Sequence, residues 1–104
     1  SADSYKENLE RLIAGYRKEF QIDKMPFIIG QINSRYGTYK DGPAVVRGAM
    51  QKVADADKFV GMVKTSADSS WSDYPKHTDN VHYNTEGQRR LGIAFANALI
   101  ALMK

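Results

Sequence analysis

The chain has 104 residues, of which 42% are hydrophobic and 26% charged, a size and composition that allow one domain with a modest core and argue against a second within it. Its net charge of +3 comes from fifteen Lys and Arg residues scattered from Lys6 to Lys104, so no basic patch or tail marks a nucleic-acid surface. The absence of cysteine excludes disulfides and thiolate metal ligands, and the longest nearly apolar run, Leu91 to Met103, falls short of the roughly 20 residues that span a bilayer.

Residues 1 to 10, SADSYKENLE, are polar and lack the apolar stretch and small-residue cleavage site of a signal peptide, although a longer parent can carry one. The compartment therefore stays open. Ser4 followed by Glu7 has the form of a capping box, and Leu9, Leu12, Ile13, Tyr16 and Phe20 recur at helical spacing, which predicts a helix over about residues 4 to 20. MPFIIGQI, residues 25 to 32, reads as a short strand buried on both faces, as in a parallel sheet. Residues 33 to 42 collect Asn33, Ser34, Gly37, Asp41 and Gly42 and predict a long exposed loop containing two tyrosines.

Pro43 opens a second helix ending near Ala56, with Val45, Val46, Ala49, Met50 and Val53 on one side and Asp41 or Gly42 placed to cap it. DKFVGMVKT predicts a second strand, followed by a polar loop from Ser66 to Tyr83. Thr85 with Gln88 has the form of another capping box, and Leu91, Phe95, Ala98, Leu99 and Leu102 predict the inward face of a final helix. The order α-β-α-β-α argues for an α/β fold with a short parallel sheet, and no internal repeat interrupts it. Two strands are fewer than the roughly five or six of a typical sheet. Their open edges call for a preceding segment, a second chain or a self-associated copy.

The chemistry-bearing residues cluster in DNVHYNTEGQ. Asp79 and His82 stand three apart just before the final helix, so one turn of loop can present a carboxylate to one imidazole nitrogen and leave the other facing a cleft. A serine hydroxyl needs such a base to take its proton, and the carboxylate fixes the tautomer and stabilises the imidazolium that forms. By spacing alone, the plainer account of His82 is an imidazole that caps the last helix or bonds loop backbone.

The run DNVHYNTEGQRRLGIAFANAL resembles the last block of the SGNH hydrolases, in particular the carbohydrate acetylesterase branch that includes sialate O-acetylesterases and acetylxylan esterases. Ahead of it, YKENLERLIAGYRKEF resembles the branch's helix, MPFIIGQI its following strand, and Val46-Arg47 the pair in its next helix, so the resemblance covers nearly the whole chain in order. It implies a three-layer α/β/α, flavodoxin-like fold of which residues 1 to 104 form one domain, the C-terminal half of an esterase domain. It also implies His82 as general base and later acid, and Asp79 as the residue that orients it. In that branch the nucleophilic serine and the oxyanion-hole donors lie in blocks ahead of the helix that Tyr5 opens here, so a chain of this extent is expected to hold the acid-base arm without the nucleophile.

Gly30-Gln31-Ile32-Asn33 resembles the branch's first block, GQSN, but Ile32 stands where the serine would be, and the flanking residues match the later strand. It reads as structural, and Ser34, in a turn-rich loop without flanking glycines, is not a replacement nucleophile. Trp71, Tyr74 and Tyr83 border the Asp-His loop. Trp71 and Tyr74 are candidate sugar-stacking residues, with packing onto the sheet the alternative and the plainer account of Tyr83. His77 lies near Asp73 and Asp79 but without Cys or a third imidazole reads as exposed, so neither a metal nor a cofactor is implied. Arg47 reads as solvated on its helix or paired with a loop carboxylate.

Two functions compete. In the first, the chain is part of a serine esterase that deacetylates a carbohydrate, inactive until completed; its partners are an acetylated carbohydrate and the missing half or a second copy. In the second, it is a non-catalytic module, self-associating or sugar-binding, derived from such an esterase. A nucleic-acid binder is disfavoured by the scattered charge, and no membrane partner is implied.

Overall fold

The computed structural model describes residues 2–33, 42–66, 72–79 and 81–104. Nearly all of the tyrosine-bearing loop expected over residues 33 to 42 lies outside these, as does Trp71. A 3-10 turn, Ala2–Ser4, leads into helix α1, Tyr5–Glu19. Ser4 occupies the N-cap with ψ 3° and makes no side-chain capping bond, so the expected capping box with Glu7 does not form. The 3-10 turn holds Ser4 away from the extended backbone that aims an N-cap oxygen at the third helical amide. At the other end, Gln21 N–H bonds Lys18 O at 3.1 Å and Ile22 N–H bonds Arg17 O at 3.0 Å, the paired bonds of a Schellman motif.

Strand β1, Phe27–Gly30, and strand β2, Val60–Val63, pair in parallel, Phe27 opposite Val60 and Gly30 opposite Val63. Helix α2, Gly42–Ala56, connects them. Strand alternation sends Ile29 and Val60 to one face, where they join Ile13 of α1 and Met50 and Val53 of α2 in the buried core. Helix α3, Thr85–Leu102, covers the opposite face. A Cβ on Gly30 would lie 2.7 Å from the Phe95 ring, and Leu102 fills the space over Gly61. Gly30 ends β1 and Gly61 lies at the start of β2, so α3 runs antiparallel to the strands and its N-terminus sits at their C-terminal edge. The result is the expected α/β fold, layered helix, sheet, helix.

The inward side of α3 carries Leu91, Phe95, Ala98 and Leu102, each half-buried. Leu99, expected with them, is instead 38% exposed, because at about 100° per residue it follows Ala98 off that line. It joins Ile93, Ile100 and Met103 on an open apolar face, and Leu12, Tyr16 and Phe20 form another on α1. No helix among the described residues is long and apolar enough to cross a membrane.

A cation stands at each end of the sheet. Beside the N-terminal ends of the strands, Arg17 bonds Asp57 Oδ2 at 2.7 Å, donates twice to Met25 O, and lies 5.7 Å from the centre of the Phe27 ring. At the C-terminal edge, Arg47 reaches from α2 to Ile32 O, to Gln31 Oε1 at 3.0 Å and to Thr65 O at 2.5 Å.

Candidate active site

The polar segment between β2 and α3 contains a short antiparallel pin. His77 N–H donates to His82 O at 2.8 Å and Asn84 N–H donates to Pro75 O at 3.1 Å, on either side of the bridge between Lys76 and Tyr83. At its tip, Asp79 Oδ1 accepts from the backbone N–H groups of Val81 at 2.9 Å and His82 at 3.0 Å, the self-bonded turn that Asp favours. The other oxygen, Oδ2, lies 2.6 Å from His82 Nδ1.

The hydrogen bond from His82, reinforced by the two backbone donors, holds the Asp79 carboxyl well below the usual carboxylate range. An ionised carboxylate only accepts, so the proton between the two belongs to Nδ1 and the lone pair is left on Nε2. The His82 side chain is 78% exposed, and among the described residues Nε2 has no hydrogen-bond partner. Of the readings open at His82, the ring is thus bonded to a carboxylate, and the helix is capped by a different residue.

That residue is Asn84, whose Oδ1 accepts from Gly87 N–H at 2.9 Å, while its carbonyl takes the first helical bond from Gln88. The expected Thr85 cap is displaced by one position, because Asn84 has the extended backbone of an N-cap, ψ −178°, and Gln88 Nε2 donates to Tyr83 O instead. Gly87 is buried, and its missing side chain lets Pro75 lie directly on the first turn of α3.

The pin is also fastened to the sheet edge. Lys76 Nζ donates to Ser66 O at 2.7 Å and lies 5.9 Å from the centre of the Tyr83 ring. Beside Ser66, Thr65 is 2% exposed and donates its hydroxyl to Gln31 O at 2.8 Å, while Gln31 Oε1 accepts from Thr65 N–H at 3.1 Å.

The family model for carbohydrate esterases described as sialic acid-specific acetylesterases matches residues 1–101. The chain belongs to this carbohydrate esterase family. No curated protein and no solved structure matches it.

For this esterase-family chain, Asp79 and His82 are brought together. Tyr74 is half-buried and meets Tyr83 edge-on, ring centres 6.4 Å apart, and Trp71 lies outside the described residues. His77 is exposed, and among the described residues no three His, Asp or Glu side chains converge on a metal position. Arg47 is half-buried, and among the described residues it pairs with no carboxylate: it binds carbonyls just past the ends of both strands. Its sequence signal, an Arg early in an apolar helix, does not distinguish those outcomes. Gln31 is locked between Thr65 and Arg47, which fits its reading as structural. An open groove of about 1100 Å³, lined by Arg17, Val53, Asp57 and Phe59 among others, lies at the N-terminal edge of the sheet, away from the Asp-His tip.

Proposed function

We propose that residues 1 to 104 form the C-terminal half of a serine esterase domain that deacetylates carbohydrates, with His82 as general base and later general acid and Asp79 as the group that orients it. One observation carries this reading: Asp79 Oδ2 stands 2.6 Å from Nδ1 of an imidazole whose Nε2 faces solvent. Membership in a carbohydrate esterase family supplies the substrate class, an acetylated carbohydrate.

In the proposed reaction, Nε2 takes the proton of a serine hydroxyl as its oxygen attacks the acetyl carbonyl, and Asp79 stabilises the imidazolium. His82 then protonates the departing sugar oxygen. Water, deprotonated by the same nitrogen, releases acetate from the acyl-serine. The serine and the oxyanion donors come from a segment or chain outside residues 1 to 104, so this chain alone is expected to hydrolyse aryl acetates no faster than free imidazole.

The test is p-nitrophenyl acetate hydrolysis by the chain alone and after a serine-bearing segment of the family is supplied. Turnover should depend on that segment and drop by about 1000-fold or more in His82→Ala. A rate that His82→Ala leaves unchanged would remove the arm from catalysis.

The open apolar faces of α1 and α3, beside a sheet with two strands among the described residues, support a second reading: a self-associating, non-catalytic module. Mass measurement in solution tests the incomplete sheet on which both readings rest. A folded monomer stable without a partner would end the claim that further strands must be supplied.

A further inference from the structure

The bonds at the tip of the pin join the imidazole to Asp79, but they are local and form only while the pin keeps its register. Both oxygens of Asp79 bond groups no more than three residues away, so they do not determine where the pair stands relative to the sheet. That position is set by what fastens the pin at its base.

On the α3 side the fastening is Asn84 and Gly87 against Pro75. On the sheet side it is Lys76. Two consecutive carbonyls just past β2 each take a cation: Thr65 O accepts from Arg47 of α2, and Ser66 O accepts from Lys76 of the pin. Thr65 is buried and hydrogen-bonded to Gln31, so Lys76 attaches one residue from backbone held to the sheet edge. Its stem spans the gap between pin and sheet, and the Tyr83 ring, directly across the bridge and one residue from His82, receives its charge on one face.

We propose that Lys76 is a positioning residue for the Asp79–His82 pair, holding the pin beside the sheet edge in the register that keeps His82 aligned with Asp79. The inference rests on the reading of that pair as an acid-base arm, but its test needs no turnover, so failure of one is distinguishable from failure of the other.

The experiment compares the full chain with Lys76→Met, which keeps the alkyl stem, and Lys76→Arg, which keeps the charged donor. Two properties are read by NMR: the ¹⁵N shifts of the His82 ring, which report whether Nδ1 or Nε2 carries the proton, and amide exchange at His77 and Asn84. In Lys76→Met the Nδ1–H tautomer should lose population to Nε2–H, and the two amides should exchange roughly fivefold faster, the change that loss of one hydrogen bond of ordinary net strength implies. Lys76→Arg should restore both, and the amides of β1 and β2 should be unaffected. An unchanged tautomer in Lys76→Met would overturn the proposal, since the local bonds of Asp79 would then suffice. So would strand amides that lose protection together with the pin, because Lys76 would then be a general fold residue. If Lys76→Met does not fold, Lys76→Gln is read by the same criteria, and failure of both to fold also overturns the proposal.

Discussion

Pro75 and Gly87 meet where no side chain fits: a Cβ on Gly87 would stand 2.1 Å from the carbonyl oxygen of Pro75. The contact seats the base of the Asp-His pin on the first turn of α3, so a helical glycine here has a packing role that outweighs its cost in backbone entropy.

Alanine in place of a helical glycine ordinarily gains up to about 1 kcal/mol. Gly87→Ala should do the reverse, because the obstructing atom is backbone and cannot rotate away; overpacking of this kind costs about 1–3 kcal/mol. Gly48 in α2 has nothing within 4 Å of its Cβ position, so Gly48→Ala should stabilise by about 0.5–1 kcal/mol. Urea denaturation of both variants checks the pair. Equal stability for the two would mean that Pro75 does not rest on α3 in solution.

Arg47 serves acceptors in two directions, with Nη1 on Ile32 O and Nη2 on Gln31 Oε1 and Thr65 O. A lysine ammonium is one point on a flexible stem and cannot reproduce that fork. Arg47→Lys should therefore lose about 2–3 kcal/mol, nearly as much as Arg47→Met, because either leaves the Ile32 and Thr65 carbonyls short of a donor. Chemical denaturation gives the comparison, and a lysine variant close to the wild type would show that charge near the strand ends is what counts.

What the sequence made legible follows physical range. The helices and strands are set by periodic burial within a few residues, and their order was readable, although β1 proved to be Phe27–Gly30 rather than the longer run from Met25 to Ile32. The caps were less readable, because Ser4 and Thr85 have the right chemistry, yet one lies at the end of a 3-10 turn and the other sits one residue inside a helix that Asn84 caps. Asp79 and His82 could be found because their partnership spans three residues and lies in a family block. Lys76 with Ser66, and Arg47 with Thr65, join segments 10 and 18 residues apart in sequence, and such pairings leave no local pattern.

Gln21 closes α1 with φ 57°, the left-handed conformation in which a side chain is crowded and glycine is not. Gln21→Gly should stabilise the chain by about 0.5–1 kcal/mol after the added flexibility of the unfolded chain is set against the relief. Its side chain is exposed, so no packing is given up. Thermal unfolding decides it: a lower melting temperature would mean that the Gln21 side chain does something for α1 that the Schellman bonds do not reveal.

Asp57 and Arg17 provide the pH test. The Arg17 guanidinium, 2.7 Å away, holds the Asp57 carboxyl below its ordinary value of 3.8, with help from Phe59 N–H and against some desolvation. A carboxyl depressed in the folded state contributes stability that is fully present above its unfolded value and disappears as pH falls through the folded one. Asp57→Asn should therefore cost about 1–2 kcal/mol near pH 7, a charged hydrogen bond discounted for partial exposure, and the cost should shrink steadily below about pH 4. Lys6 and Glu10 are about equally close, at 3.0 Å, but their side chains are 44% and 46% exposed, so Glu10→Gln should change stability by less than about 0.5 kcal/mol at any pH. Denaturation at pH 7 and pH 3 separates the two pairs: an Asp57→Asn deficit that persists unchanged at pH 3 would assign the stabilisation to packing of Arg17 on Phe27 rather than to the ion pair.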